Sequence, residues 1–174
     1  MRRPEKEDAP PAARSWERSL HVPYRKTVFA MVKVSLEYRD GVLGPAPDGT
    51  PCQELGPKSL MLYALGKCSS LTFLSLAEKM RVRISDYRME VSGDLSDDPP
   101  VSWSHFVAIN TVFMVGVADE RDYKKVLSAV QKTHDKYCGV SLMMQRIAPV
   151  SVEVYINGRI QAFGETAFEA DPRP

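Results

Sequence analysis

The sequence predicts an α+β fold with a mostly antiparallel sheet. One observation behind this is a long helical stretch, Gly56 to Met80, opened by Gly-Pro and apolar on nearly every side. A second is a set of segments in which apolar and polar residues alternate with period two. The third is their order: strand, long helix, two strands, helix, short helix, two strands. That order lacks the strict alternation of a parallel α/β chain. At 174 residues the chain fits one domain and can bury a sizeable core.

Residues 1–25 are charged and Pro-rich, the composition of a flexible arm that Trp16 and Tyr24 could pin in places, and the domain is expected over 26–174. From Thr27 the pattern changes. Val32, Val34, Leu36 and Tyr38 alternate with Lys33, Ser35, Glu37 and Arg39, as in a half-buried strand, and Arg39-Asp40-Gly41 forms a turn. Gly44 to Gly56 is rich in Gly and Pro and reads as an irregular loop. In the helix that follows, Met61, Ala64, Leu65, Leu71, Leu74 and Ala77 form the 3.6-period stripe, while Leu62, Tyr63, Phe73 and Leu76 cover other faces. Interrupted by Lys67 and Glu78, it is expected to be too short for a membrane span. One small sheet covers only one of its sides, so an obligate homodimer that pairs two such helices is expected. A monomer that wraps the helix by itself is the alternative.

Arg81 to Gly93 is the next strand, with a change of parity at Ser85-Asp86 that predicts a β-bulge. Asp94 to Pro100 reads as an acidic turn. His105 to Val117 carries apolar residues on both faces, the pattern of a strand covered on both sides. Asp119 is a plausible N-cap for a helix over 120–134, which falters at Asp135-Lys136-Tyr137 before a short helix from Cys138 to Gln145. Val150 to Ile156 is a strand ending in Asn157-Gly158, a hairpin signal, with Ile160 to Phe163 as its return.

Acids and bases nearly cancel at a net charge of +1, so nothing in the bulk electrostatics argues for nucleic acid. Three cysteines fit reduced thiols better than a disulfide scaffold, and the N-terminal stretch lacks the apolar core of a secretory signal. Cytoplasm is the expected location, with organellar import left open. Cys68 lies inside the long helix beside Ser69, Ser70 and Thr72, and Cys138 stands at the start of the short one. Free cysteines often serve as small apolar packing groups. A cysteine at a helix N-terminus, however, is expected to have a lowered pKa. Cys52, in a Pro-rich loop, looks incidental. There is no C-x-x-C or H-x-x-x-H spacing among His21, His105, His134 and the cysteines, and no G-x-S-x-G. His134 reads as a cation at a helix C-terminus.

Gly56-Pro57 opening a helix that reads SLMLYALGKC, and later DKYCGVSLMMQRIAPVSVEVYING, resemble the two cysteine segments of the OsmC/Ohr family of peroxide-detoxifying proteins. The PPVSWSHFVAINTVFMVGV strand between them fits as well, and the resemblance runs from Lys26 to Gly158. It implies an intertwined α+β homodimer with two long helices at its centre and sites at the subunit interface. The helix cysteine, matching Cys68, attacks a hydroperoxide and becomes a sulfenic acid. The cysteine matching Cys138 condenses with it to a disulfide, which a dithiol or thioredoxin-like reductant reopens. No cofactor is called for. Organic hydroperoxides are the expected substrates, with Leu65 and Phe73 as apolar walls.

The sequence also departs from that pattern. Active family members place a glutamate shortly before the helix cysteine, paired with an arginine from the N-terminal strand region. Here Lys58, followed by Ser59, occupies the glutamate's place. Glu54 is the nearest acid, Arg39 resembles the arginine of the Ohr branch's R-D-G turn, and Lys58 could itself favour a thiolate. Two other readings stay open: a non-catalytic dimer that binds a small hydrophobic ligand, and a redox sensor that uses the same disulfide.

Overall fold

The computed structural model describes residues 28–96 and 104–161. The arm with Trp16 and Tyr24, most of the Asp94–Pro100 turn, and Phe163 lie outside them. Six strands form one sheet in the order β2-β1-β3-β4-β5-β6. These are β1 (Val28–Arg39), β2 (Val42–Pro45), β3 (Ile84–Ser96), β4 (Phe106–Val117), β5 (Val150–Ile156) and β6 (Arg159–Gln161). Among the described residues, every pairing is antiparallel except that of β4 with β5. Between those two strands the chain crosses over through α2 (Tyr123–Lys132) and α3 (Gly139–Met144), as a parallel pair requires.

The first hairpin is tighter than the sequence suggested. Asp40 and Gly41 both adopt positive φ (51° and 80°), which suits a two-residue turn. It folds Val42–Pro45 back onto Leu36–Arg39. The segment read as loop from Gly44 therefore begins as a strand. Pro45 is tolerated there because β2 is an edge and its missing N–H breaks no ladder.

The long helix, α1 (Pro57–Lys79), starts at the expected Gly56-Pro57. Arg81 ends it in the left-handed region at φ 56°, with Val82 N–H reaching the Ala77 carbonyl in a Schellman-type closure. In length and composition α1 suffices to cross a membrane, against the expectation that it is too short. In this fold it lies across the sheet instead. Its sheet-facing side is not the expected stripe. Leu62, Leu65, Gly66, Ser69, Ser70, Phe73 and Ala77 are buried, whereas Met61, Ala64 and Leu71 are exposed. Small residues decide this. A Cβ on Gly66 would lie 2.6 Å from Leu36 Cδ1, so the helix seats closely where a side chain is missing. Further along, Phe73 stacks on Tyr87 at 5.2 Å and meets Phe113 edge-on at 5.8 Å. The core lies in this layer between α1 and the central strands.

The bulge expected at Ser85-Asp86 is present as a register shift against β4. However, β3 continues to Ser96, past its predicted end at Gly93, because Leu95 still points into the core. On β4, Ile109, Phe113 and Val115 face the helices, but Ala108, Val112 and Met114 are only half-buried. Complete cover on both faces, as predicted, is not found within the described residues. The second helical stretch opens as a 3-10 turn whose cap is Asp119, accepting from Arg121 N–H. Where the sequence pattern falters, Thr133–Tyr137 widens into a π-helical turn.

Candidate active site

The π turn and α3 pack against the middle of α1 and carry Cys138 to Cys68. Cys138 leaves the helical conformation at φ −87°, ψ 100° and caps α3. Its N–H is tied to the Thr133 carbonyl at 3.0 Å, which fixes the direction of its side chain. The two cysteines are unbridged, and the Cys138 thiol donates to the Cys68 sulfur at 3.1 Å. Seventy residues of sequence separate them.

The two sulfurs differ in surroundings. Cys138 is fully buried, while Cys68 is half-buried on the flank of α1. The Cys138 sulfur also accepts two hydrogen bonds of 3.3 Å, from the Ser69 hydroxyl and the Ser141 N–H. Burial nevertheless pushes the Cys138 thiol up to about 11, aided by the neighbouring Cys68 and opposed by Ser69 and Ser141. The lowered pKa expected of a cysteine at a helix N-terminus is therefore not found. α3 has only six residues, and removal from water outweighs its few free N–H groups.

A polar cluster supports Cys138 from behind. His134 is buried, with Nδ1 lying 3.4 Å from Ser141 Oγ and Nε2 lying 3.2 Å from the Gln145 amide nitrogen. Gln145 donates to the His134 carbonyl at 3.0 Å and to Ser141 Oγ at 3.1 Å. The sequence suggests a helix C-terminal cation at His134, but its burial disfavours the charged form. Burial lowers its pKa, although Asp135 acts in the opposite direction. Sequence reasoning missed this role. The one local signal is Ser141 and Gln145, spaced four apart along α3 and its C-cap, whereas His134 joins them only through the non-helical turn at Cys138.

The remaining sequence candidates are not brought to the thiols. Arg39 sits at the end of β1, exposed, and pairs with Glu37 at 2.6 Å. Glu54 is exposed in a 3-10 turn ahead of α1. Lys58 lies in the first turn of α1 and donates to the Ser104 hydroxyl. Ten helical residues place it about 15 Å along the axis from Cys68, beyond the reach of its own side chain. Cys52 occupies the same 3-10 turn as Glu54. Leu65 and Phe73, expected as walls of a substrate site, are fully buried against the sheet. The apolar groups next to Cys68 on the exposed helix face are Ala64 and Leu71, and Tyr137, half exposed, precedes Cys138.

The family model described as OsmC-like protein matches residues 49–153, a span that contains both cysteines and Ser69. Protein YhfA of Escherichia coli (strain K12) is 28% identical over 95 residues, covering 55% of this chain and 68% of YhfA. The crystal structure of the OsmC like protein from Mycoplasma pneumoniae superposes with a TM-score of 0.51 at 16% identity, over 79% of this chain and 99% of that one. The organic hydroperoxide resistance protein OhrB of Bacillus subtilis is 18% identical, with a TM-score of 0.43, over 74% of this chain and all of that one.

Proposed function

Because this chain belongs to the OsmC-like protein family, we propose that it is a cysteine-based peroxidase that reduces organic hydroperoxides. The observation that carries this reading is the 3.1 Å contact between two unbridged sulfurs of unequal exposure. Cys68, the more exposed, is the attacking thiol. Its thiolate attacks the distal peroxide oxygen: the O–O bond breaks, an S–O bond forms, and the alkoxide takes a proton and leaves as an alcohol. Cys138 is the resolving thiol. Its sulfur attacks the Cys68 sulfenic acid, its proton joins the departing hydroxyl as water, and a Cys68–Cys138 disulfide forms. A dithiol then reduces that disulfide and restores both thiols.

The buried Cys138 keeps its proton at neutral pH and directs it at the Cys68 sulfur, so charge developing on Cys68 meets a donor. Arg39 and Lys58 are paired elsewhere in the chain and Glu54 is exposed, so the Cys138 thiol is the donor this reading assigns to Cys68. Ala64 and Leu71, exposed beside Cys68, favour an organic substrate over hydrogen peroxide. Assembly belongs to the same reading. The exposed row Leu60, Met61, Ala64 and Leu71 on α1 is the surface a second copy would cover in a homodimer.

Peroxide consumption with a dithiol present tests the reading. Wild type is expected to turn over cumene hydroperoxide, Cys68→Ser to fall to background, and Cys138→Ser to accumulate and over-oxidise a sulfenic acid. Equal consumption by wild type and Cys68→Ser would leave the fold to ligand binding or to redox sensing without turnover.

A further inference from the structure

We propose that Ser69 assists the reopening of the Cys68–Cys138 disulfide, in which a reductant attacks the accessible Cys68 and Cys138 leaves as a thiolate held by the Ser69 hydroxyl. The inference rests on the disulfide chemistry proposed above and adds a residue and an order of events to it. Cys68 and Ser69 are neighbours on α1, about 100° apart around the helix. Both nevertheless meet the same sulfur, with Cys68 on the accessible side and Ser69 on the buried side of Cys138.

Donors are distributed unequally between the two sulfurs. Among the described residues, the Cys68 sulfur receives only the Cys138 thiol proton, which departs in water when the disulfide forms. The Cys138 sulfur keeps two donors, Ser69 Oγ–H and Ser141 N–H, each at 3.3 Å. Access points the same way, because Cys138 is fully buried and Cys68 is not. In the first step a thiolate of the dithiol forms a new S–S bond to Cys68. The old S–S bond breaks, and its electron pair stays on Cys138, where the two donors face it. In the second step the reductant's other thiol attacks the mixed disulfide, releases Cys68 and closes the reductant's own disulfide. The two protons of the dithiol end on Cys68 and Cys138. Burial makes Cys138 a poor leaving thiolate, and the Ser69 hydrogen bond offsets part of that cost, so exchange slows when the hydroxyl is lost.

The test starts from disulfide made with diamide, so that it does not depend on peroxide reactivity. Dithiothreitol is expected to reduce Ser69→Ala about tenfold more slowly than wild type, with Ser69→Thr, which keeps the hydroxyl, near wild type. A 2-mercaptoethanol adduct on wild type, quenched with iodoacetamide within seconds and mapped by mass spectrometry, is expected on Cys68. An adduct on Cys138, or Ser69→Ala reduced at the wild-type rate, would overturn the proposal. Should Ser69→Ala fail to fold, the adduct position in wild type decides. Disulfide that forms with diamide but not with hydroperoxide would count against the peroxidase reading and leave this inference to the reduction data.

Discussion

Closing the Cys68–Cys138 bridge should stabilise the fold by an amount that follows from its place in the chain. The sulfurs already lie 3.1 Å apart, so bonding at about 2.05 Å needs a movement of roughly 1 Å. The bridge closes a loop of 70 residues. Chain entropy for a loop of that length removes about 4 kcal/mol of freedom from the unfolded state. For a domain of this size that corresponds to a rise in Tm on the order of 10 °C. The assay is thermal unfolding of diamide-oxidised and dithiol-reduced protein at one protein concentration, because self-association would otherwise shift the midpoint. Cys138→Ser serves as a control expected to show no redox-dependent difference. Equal midpoints for the two forms, or an oxidised form that melts first, would refute the reasoning: the sulfurs would not be held where a bond between them is free of strain.

Three other outcomes follow from the same geometry. Burial pushes the Cys138 thiol up to about 11, so iodoacetamide at pH 7.5 should label Cys68 first and Cys138 at least about a hundredfold more slowly, with the Cys138 rate still climbing at alkaline pH; equal labelling rates would contradict this. His134 has a pKa lowered by burial, so the folded state resists a proton that the unfolded chain accepts near pH 6.5. Its contribution is full above about that pH and is lost as the pH falls towards the folded value. Urea midpoints at pH 7.5 and 5.5 should therefore differ more for wild type than for His134→Gln. Arg81 holds a left-handed conformation at φ 56°, which is unfavourable by about 1–2 kcal/mol for a residue with a Cβ. Arg81→Gly, after the entropy glycine adds to the unfolded chain, should raise stability by up to about 1 kcal/mol, measured by thermal unfolding.

Local chemistry was legible in the sequence wherever one residue type decides the backbone. Gly56-Pro57 marked the start of α1, Asn157-Gly158 the last hairpin, and the change of parity at Ser85-Asp86 the bulge. The buried face of α1 was not legible, because nearly every face is apolar and the seating was decided by the absence of a side chain at Gly66 rather than by the presence of Met61 or Leu71. β2 hid in a Gly- and Pro-rich segment, since an edge strand tolerates what a central strand does not. In the site, Cys68 and Cys138 could be singled out from their two segments, yet nothing in the spacing alone puts them in contact. That contact is made by the π turn, which five polar and aromatic residues conceal as a faltering helix. In the sequence Ser69 stands out only as a polar neighbour of Cys68 and His134 only as a helix-end cation, because Ser, His and Gln declare no role until tertiary packing buries them.

The measurement that bears most directly on the central claim is a single-turnover exposure of fully reduced protein to one equivalent of cumene hydroperoxide. The reaction is quenched within seconds, and all three cysteines are mapped by mass spectrometry. The account predicts one alcohol released per Cys68–Cys138 disulfide formed, Cys52 left as a thiol, and complete recovery of both thiols with a dithiol. Thiols untouched by the hydroperoxide, or oxidation that bypasses Cys68, would contradict it.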